Sequence, residues 1–180
     1  MLASCDLSKP LGVRDRAVLL LMVRLGLRAG DIRSMRLDDL DWEAGTVRVL
    51  GKGRREVRLP LPQDAGEALI EYLGKMRPTA STDHVFLCMN APVRPISHSS
   101  TVSGIVHAAL QRAGIVNPPS KGAHLLRHSA ATAMLRSGAS LDVIATVLRH
   151  QSTDMTAYYA KVDIQMLSEI AQPWPEEAPC

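Results

Sequence analysis

Residues 124–128 of the chain read His-Leu-Leu-Arg-His, and they open a stretch that is otherwise an ordinary apolar helix. On a helix His124 lies beside Arg127 and His128, three and four residues on, while Leu125 and Leu126 point into a core. One face therefore offers two imidazoles and a guanidinium together. Such a face is either a functional cluster or the solvated start of a helix whose polar residues cap its first turn. It does not suit zinc, because leucine stands where a helical zinc site places its acidic base, and the arginine would repel a metal ion. A second group with chemical potential is "VLRHQSTDMTAYYAK". There His150 closes one helical pattern, and Tyr158 and Tyr159 follow the polar run from Gln151 to Thr156. A tyrosine pair more often packs than reacts, yet that polar run would leave at least one phenol near the histidine and open to substrate.

The elements that must position these groups follow from patterning. Val13 to Leu25 is helical and ends at Gly26. A short helix is expected over Gly30–Leu37, ahead of the acidic "DDLDWEAG". The period then changes to two, in "TVRVL" and "REVRLPL" on either side of "GKG", which predicts a β-hairpin with Lys52 at its tip. A third short strand near Leu40–Trp42 would complete a stable sheet. Helices are expected over Gln63–Met76, Ser99–Ala113 and His124–Ser137, and again over "SLDVIATVL", with Ser140 as its cap, and "STDMTAYYA". The expected fold class is α+β, a predominantly helical domain with a small three-stranded antiparallel sheet.

Composition sets outer limits. A chain of 180 residues with 46% apolar residues has the length of one domain and enough material for a core. Aromatic residues are 3%, too few for a platform that stacks single-stranded bases, whereas duplex binding needs no such rings. Net charge is +3, and arginine outnumbers lysine, which suits forked contacts to phosphate or carboxylate. Cys5, Cys88 and Cys180 fit neither a disulfide framework nor a zinc spacing, so a reducing, cytoplasmic compartment is expected. The apolar run Ala17–Val23 is too short to cross a bilayer, so no membrane partner is expected.

Taken in order, "RDRAVLLLMVRLGLRAGD", "GKGRREVRLPLP", "HLLRHSAATAMLRSGASLDVIATVLRH" and "TAYYAKVD" resemble the catalytic domain of the tyrosine recombinases, the phage integrase family, over nearly the whole chain. Each motif is weak alone, and it is their conjunction that is specific. The resemblance implies the DNA breaking-rejoining fold over residues 1–172, with a tail at 173–180. It implies a catalytic set of Arg28, Lys52, His124, Arg127, His150 and Tyr159, with Tyr159 as nucleophile. Arg54, Arg55, Lys121 and Arg149 are the expected further contacts to double-stranded DNA. No metal site and no cofactor are expected, because a phosphotyrosyl intermediate retains the energy of the broken bond. Self-association on DNA as a tetrameric synapse is expected too.

The chemistry makes this set sensible. Strand cleavage needs an oxygen nucleophile, cations around a phosphorane carrying extra charge, and a proton for the leaving oxygen. Three features depart from the family pattern. Asp31 stands where the family usually has glutamate, one methylene longer. Arg149 stands in "LRH" where the family prefers glycine, and it is expected either to disturb His150 or to add a phosphate contact. About a dozen residues precede the first helix, where family members carry a separate DNA-binding domain, so weak and salt-sensitive affinity is expected. Ile164, Leu167 and Ile170, at helical spacing in the segment after Tyr159, are expected to dock on a neighbouring protomer or on their own chain. Two other tasks fit the same residues: a DNA-binding module without turnover, and a type IB topoisomerase-like relaxation of supercoils.

Overall fold

The computed structural model describes residues 1–50, 56–119 and 122–149. Lys52, Arg54, Arg55, Lys121, His150, Tyr158, Tyr159, the helix expected over "STDMTAYYA" and the tail lie outside the described residues.

Helix α1 runs Pro10–Leu25 and is the axis of the domain. It begins one turn before the apolar pattern does, because Pro10 at its first position brings a preset φ and gives up no needed N–H. Ala17 to Met22 are all buried, so the middle of α1 is enclosed on every side rather than amphipathic. It packs on α3 (Gln63–Glu71), α4 (Ser99–Arg112) and α5 (Ala123–Arg136). The buried set even includes an ion pair. Arg14 donates to Asp15 at 3.0 and 2.6 Å and to the Leu87 carbonyl at 3.0 Å, with both side chains under 10% exposed. A buried pair survives only when its polar atoms are matched, and the Leu87 carbonyl supplies part of that match.

The expected sheet is present, with strands β1 (Leu40–Asp41), β2 (Thr46–Leu50) and β3 (Glu56–Pro60) in antiparallel order β1-β2-β3. Val47 pairs with Leu59 and Val49 with Val57, which turns Val47, Val49 and Leu59 into the core. On the opposite face Arg48 bridges Asp39 and Glu56, and Arg58 reaches Asp41. The sheet thus alternates apolar-in and charged-out, as its period of two requires. Helix α3 passes at Tyr72 into a wider π-helical turn, Tyr72–Met76. Tyr72 is buried there, stacked on Phe86 at 5.7 Å, and its hydroxyl accepts from the Leu87 N–H at 3.3 Å.

The short helix α2 spans Ala29–Ser34, ending three residues before the expected Leu37, because Met35 turns extended and joins the core. Helix α6, Leu141–Leu148, starts at Ser140, whose hydroxyl accepts from the Val143 N–H at 3.3 Å as the sequence predicts. Ala131 and Leu135 from α5 and Ile144 and Leu148 from α6 form a second, smaller core. No described helix is long and apolar enough to cross a membrane.

Gly26 ends α1 in the left-handed conformation, φ 59°, and a Cβ there would stand 2.3 Å from Leu148 Cδ2. Gly45, in the β1–β2 turn, has nearly the same φ, 60°, with nothing near its missing Cβ. Gly45→Ala should therefore cost only the backbone term, about 1 to 2 kcal/mol. Gly26→Ala should cost about 1 to 3 kcal/mol more, because buried Leu148 must move. Urea unfolding of the two variants measures the difference, and equal losses would contradict the close approach of Leu148 to Gly26.

Candidate functional site

The site is built around the end of α1. Gly26 reverses the chain, Leu27 is fully buried, and Arg28 follows in extended conformation, with φ −78° and ψ 156°, as the residue capping α2. The Asp31 carboxylate accepts from the Arg28 backbone N–H at 2.7 Å. This is one half of a reciprocal cap, since a guanidinium has no acceptor with which to return the bond. With its backbone held in this way, Arg28 keeps its half-buried side chain at the domain surface, where Nη2 donates to the Arg149 carbonyl at 3.2 Å.

Arg127 approaches from α5. Its residue is only 5% exposed, and its Nη1 donates to the Gly26 carbonyl at 2.6 Å while Nη2 donates to the Leu148 carbonyl. One guanidinium thereby ties the end of α1 to the end of α6. His124, one turn earlier on α5, is exposed, and Leu126 is buried as expected. The rings of His124 and His128 stand 6.2 Å apart and tilted. Burial, followed by the positive neighbours His124 and Arg127, pushes the His128 imidazole below its ordinary range.

Arg28, His124 and Arg127 line one cleft of about 360 Å³, together with Ala29, Gly30, Ser99, Ser103 and Ala123. Ser99 and Ala123 are the first residues of α4 and α5, so two helices begin at the cleft wall, and neither carries an acidic residue in its first turn. Partial positive charge at both helix starts adds to that of the two guanidinium groups. Gly122, at φ 71°, permits the approach of α5 to α4, since a Cβ there would meet Ser103 Cβ at 3.0 Å. The two hydroxyls of Ser99 and Ser103 were not among the residues expected from sequence. Their spacing of four at a helix start was the available signal.

Of the ten residues expected to act on DNA, the described structure brings three, Arg28, His124 and Arg127, into that cleft. Lys52, Arg54, Arg55, Lys121, His150 and Tyr159 lie outside the described residues. Arg149 does not fit its expected role as a phosphate contact. Its side chain is 3% exposed and turned inward, donating to Asp31 at 3.2 and 2.5 Å and to the Leu50 carbonyl at 3.1 Å. An arginine enclosed by a carboxylate has neither the reach nor the unneutralised charge for the DNA backbone.

Comparison with known proteins agrees with this architecture. Residues 1–166 match the model of the phage integrase family. A Sinorhizobium fredii protein provisionally named integrase/recombinase y4rA is 48% identical over 99% of this chain, which covers 43% of that protein. Tyrosine recombinase XerC of Lactobacillus leichmannii is 35% identical over 98% of this chain and 60% of its own length. Among solved structures, a post-cleavage complex of the XerH site-specific recombinase with palindromic difH superposes with a TM-score of 0.78 at 24% identity. It covers 97% of this chain and 50% of XerH, and at that identity the likeness speaks for the fold. The chain thus spans about half the length of these relatives. Sequence, fold and the cleft at the end of α1 converge: the chain belongs to the phage integrase family.

Proposed function

We propose that this chain cleaves and rejoins strands of double-stranded DNA as the catalytic domain of a site-specific tyrosine recombinase. The observation that carries this reading is the meeting of Arg28, Arg127 and His124 on one cleft at the starts of α4 and α5. A phosphodiester seated there would have its non-bridging oxygens facing two guanidinium groups. These donors matter most when the phosphorus becomes pentacoordinate and the oxygens carry additional charge. XerH, of the same fold, has been captured on its DNA in pre-cleavage and post-cleavage complexes, which supports DNA as the partner here.

In the proposed reaction the Tyr159 phenol oxygen attacks phosphorus and the bond from phosphorus to the 5′ oxygen breaks. The phenol has an ordinary pKa of about 10, so it must lose its proton as it attacks. His124, exposed at the cleft, is the base in this reading. Lys52 protonates the departing 5′ oxygen and His150 hydrogen-bonds the phosphate. Attack by a 5′ hydroxyl on the 3′-phosphotyrosyl bond then returns the proton to the phenol and reseals the strand. The bond count is unchanged throughout, so no external energy source is needed. Assembly of four copies on two duplexes is part of the same reading.

A duplex nicked just beyond the scissile phosphate tests the proposal, because loss of the short fragment traps the covalent complex. Wild type should yield an adduct stable to denaturant, and Tyr159→Phe should yield none. Absence of an adduct with wild type at high protein concentration would leave a DNA-binding module without turnover. Relaxation of plasmids with no sequence preference would instead mark a topoisomerase-like activity.

The two arginines should separate by stability. Arg28→Ala should slow cleavage roughly 10²- to 10³-fold, yet lower stability by no more than about 1.5 kcal/mol, for one lost hydrogen bond. Arg127→Ala should abolish cleavage and also cost at least about 2 kcal/mol, since two buried carbonyls lose their donor. Matching urea midpoints for the two variants would count against that division.

Stability should also vary with pH through His128. Its folded pKa is lowered, so the unfolded chain binds the proton more readily. Its stabilising contribution is thus complete above the unfolded pKa, about 6.5, and is lost as pH falls through the folded value. Wild type should lose stability relative to His128→Gln as pH drops below about 6.5. Parallel pH profiles for the two proteins would refute this.

A further inference from the structure

Arg149 is the only non-glycine residue with positive φ among the described residues, at φ 55° and ψ 47°. Left-handed backbone disfavours a side chain with a Cβ, so something must hold the residue there. What holds it is the guanidinium fork, which takes both oxygens of Asp31 on α2 and the carbonyl of Leu50, the last residue of β2. Its Nε is buried without a hydrogen-bond partner, a further cost accepted by this placement.

The same residue touches the candidate machinery along several routes. Its own carbonyl accepts from Arg28, and the preceding carbonyl, of Leu148, accepts from Arg127. Asp31, which Arg149 clamps, also fixes the backbone of Arg28. Leu50 stands two residues before Lys52 in the chain, and His150 is the next residue after Arg149. A single buried side chain therefore joins α2, α6 and the end of β2, where three separately folded segments deliver catalytic groups.

We propose that Arg149, together with Asp31, is a positioning residue of the cleavage reaction. It clamps the two cleft arginines and the base of the Lys52 hairpin into one frame without itself touching DNA. The proposal rests on the strand-cleavage reading above. Glycine at 149 would relax the backbone but sever three segments from one another, and lysine would keep the charge but lack the fork needed to reach Asp31 and Leu50 together.

The test uses the full chain as Arg149→Gly, Arg149→Lys, Asp31→Asn and the double variant Arg149→Gly/Asp31→Asn. On nicked duplex at saturating protein, each should lower the single-turnover cleavage rate at least tenfold. The double variant should lose no more than either single one, because both remove the same clamp. Affinity for intact duplex should change less than threefold, and the slope of log affinity against log salt should stay that of wild type. A phosphate contact would flatten that slope by about 0.9.

Hydrogen exchange of the DNA-free protein gives a reading independent of cleavage. Amides of Thr46–Leu50 and Ala29–Ser34 should exchange faster in the variants, and those of α3 should not. That result would stand even if wild type failed to form an adduct, so failure of the cleavage reading and failure of the clamp are separable. Unchanged exchange at both segments, or a flattened salt slope with an unchanged cleavage rate, would overturn the proposal.

Discussion

The structure depends on one guanidinium placed inside the protein. Arg127 donates to the carbonyls of Gly26 and Leu148, and these mark the ends of α1 and α6. A cation taken from water is costly unless its donors are matched, and backbone carbonyls of two helix ends are good partners, because they also carry the negative end of each helix dipole. The electrostatic demand and the packing demand are met by the same contacts. Gly26 must lack a Cβ for Leu148 to close on it, and that closure brings the Leu148 carbonyl to Arg127. Loss of either contact would loosen the other.

From that join the cleft follows geometrically. With α1 ended in a left-handed turn, Arg28 emerges one residue past buried Leu27 and is capped by Asp31. With α5 pinned through Arg127, His124 is presented one turn closer to its start, beside α4. Two guanidinium groups, two helix starts without acidic first turns and two serine hydroxyls then share a wall suited to an anion with several oxygens. Holding such donors in place before substrate arrives is what makes them effective during a reaction, since they need not reorganise as charge develops.

Much of this was legible in the sequence, for identifiable reasons. The hairpin showed itself by a period of two, and its register put Val47, Val49 and Leu59 inside as that period demands. Gly26, Gly138 and Ser140 marked helix boundaries because positive φ and side-chain capping leave residue-type signatures. The pairing of His124 with Arg127 followed from helical spacing alone. The start of α1 at Pro10 was less visible, because the first turn lacks the apolar rhythm that announces the rest. The buried Arg14–Asp15 pair was invisible, since adjacent residues on a helix do not normally face each other. The inward turn of Arg149 is not legible, because nothing local reveals that Asp31, far away in sequence, closes on it. Pairings between distant residues are a property of the packed molecule, not of any window of sequence.

The most direct measurement is a structure of the chain bound to a duplex that carries an uncleaved phosphodiester. The account predicts one backbone phosphate between Arg28 and Arg127, with oxygens within hydrogen-bond distance of both guanidinium groups and His124 at its side. A duplex seated on another face, with the cleft between α4 and α5 facing solvent, would contradict it.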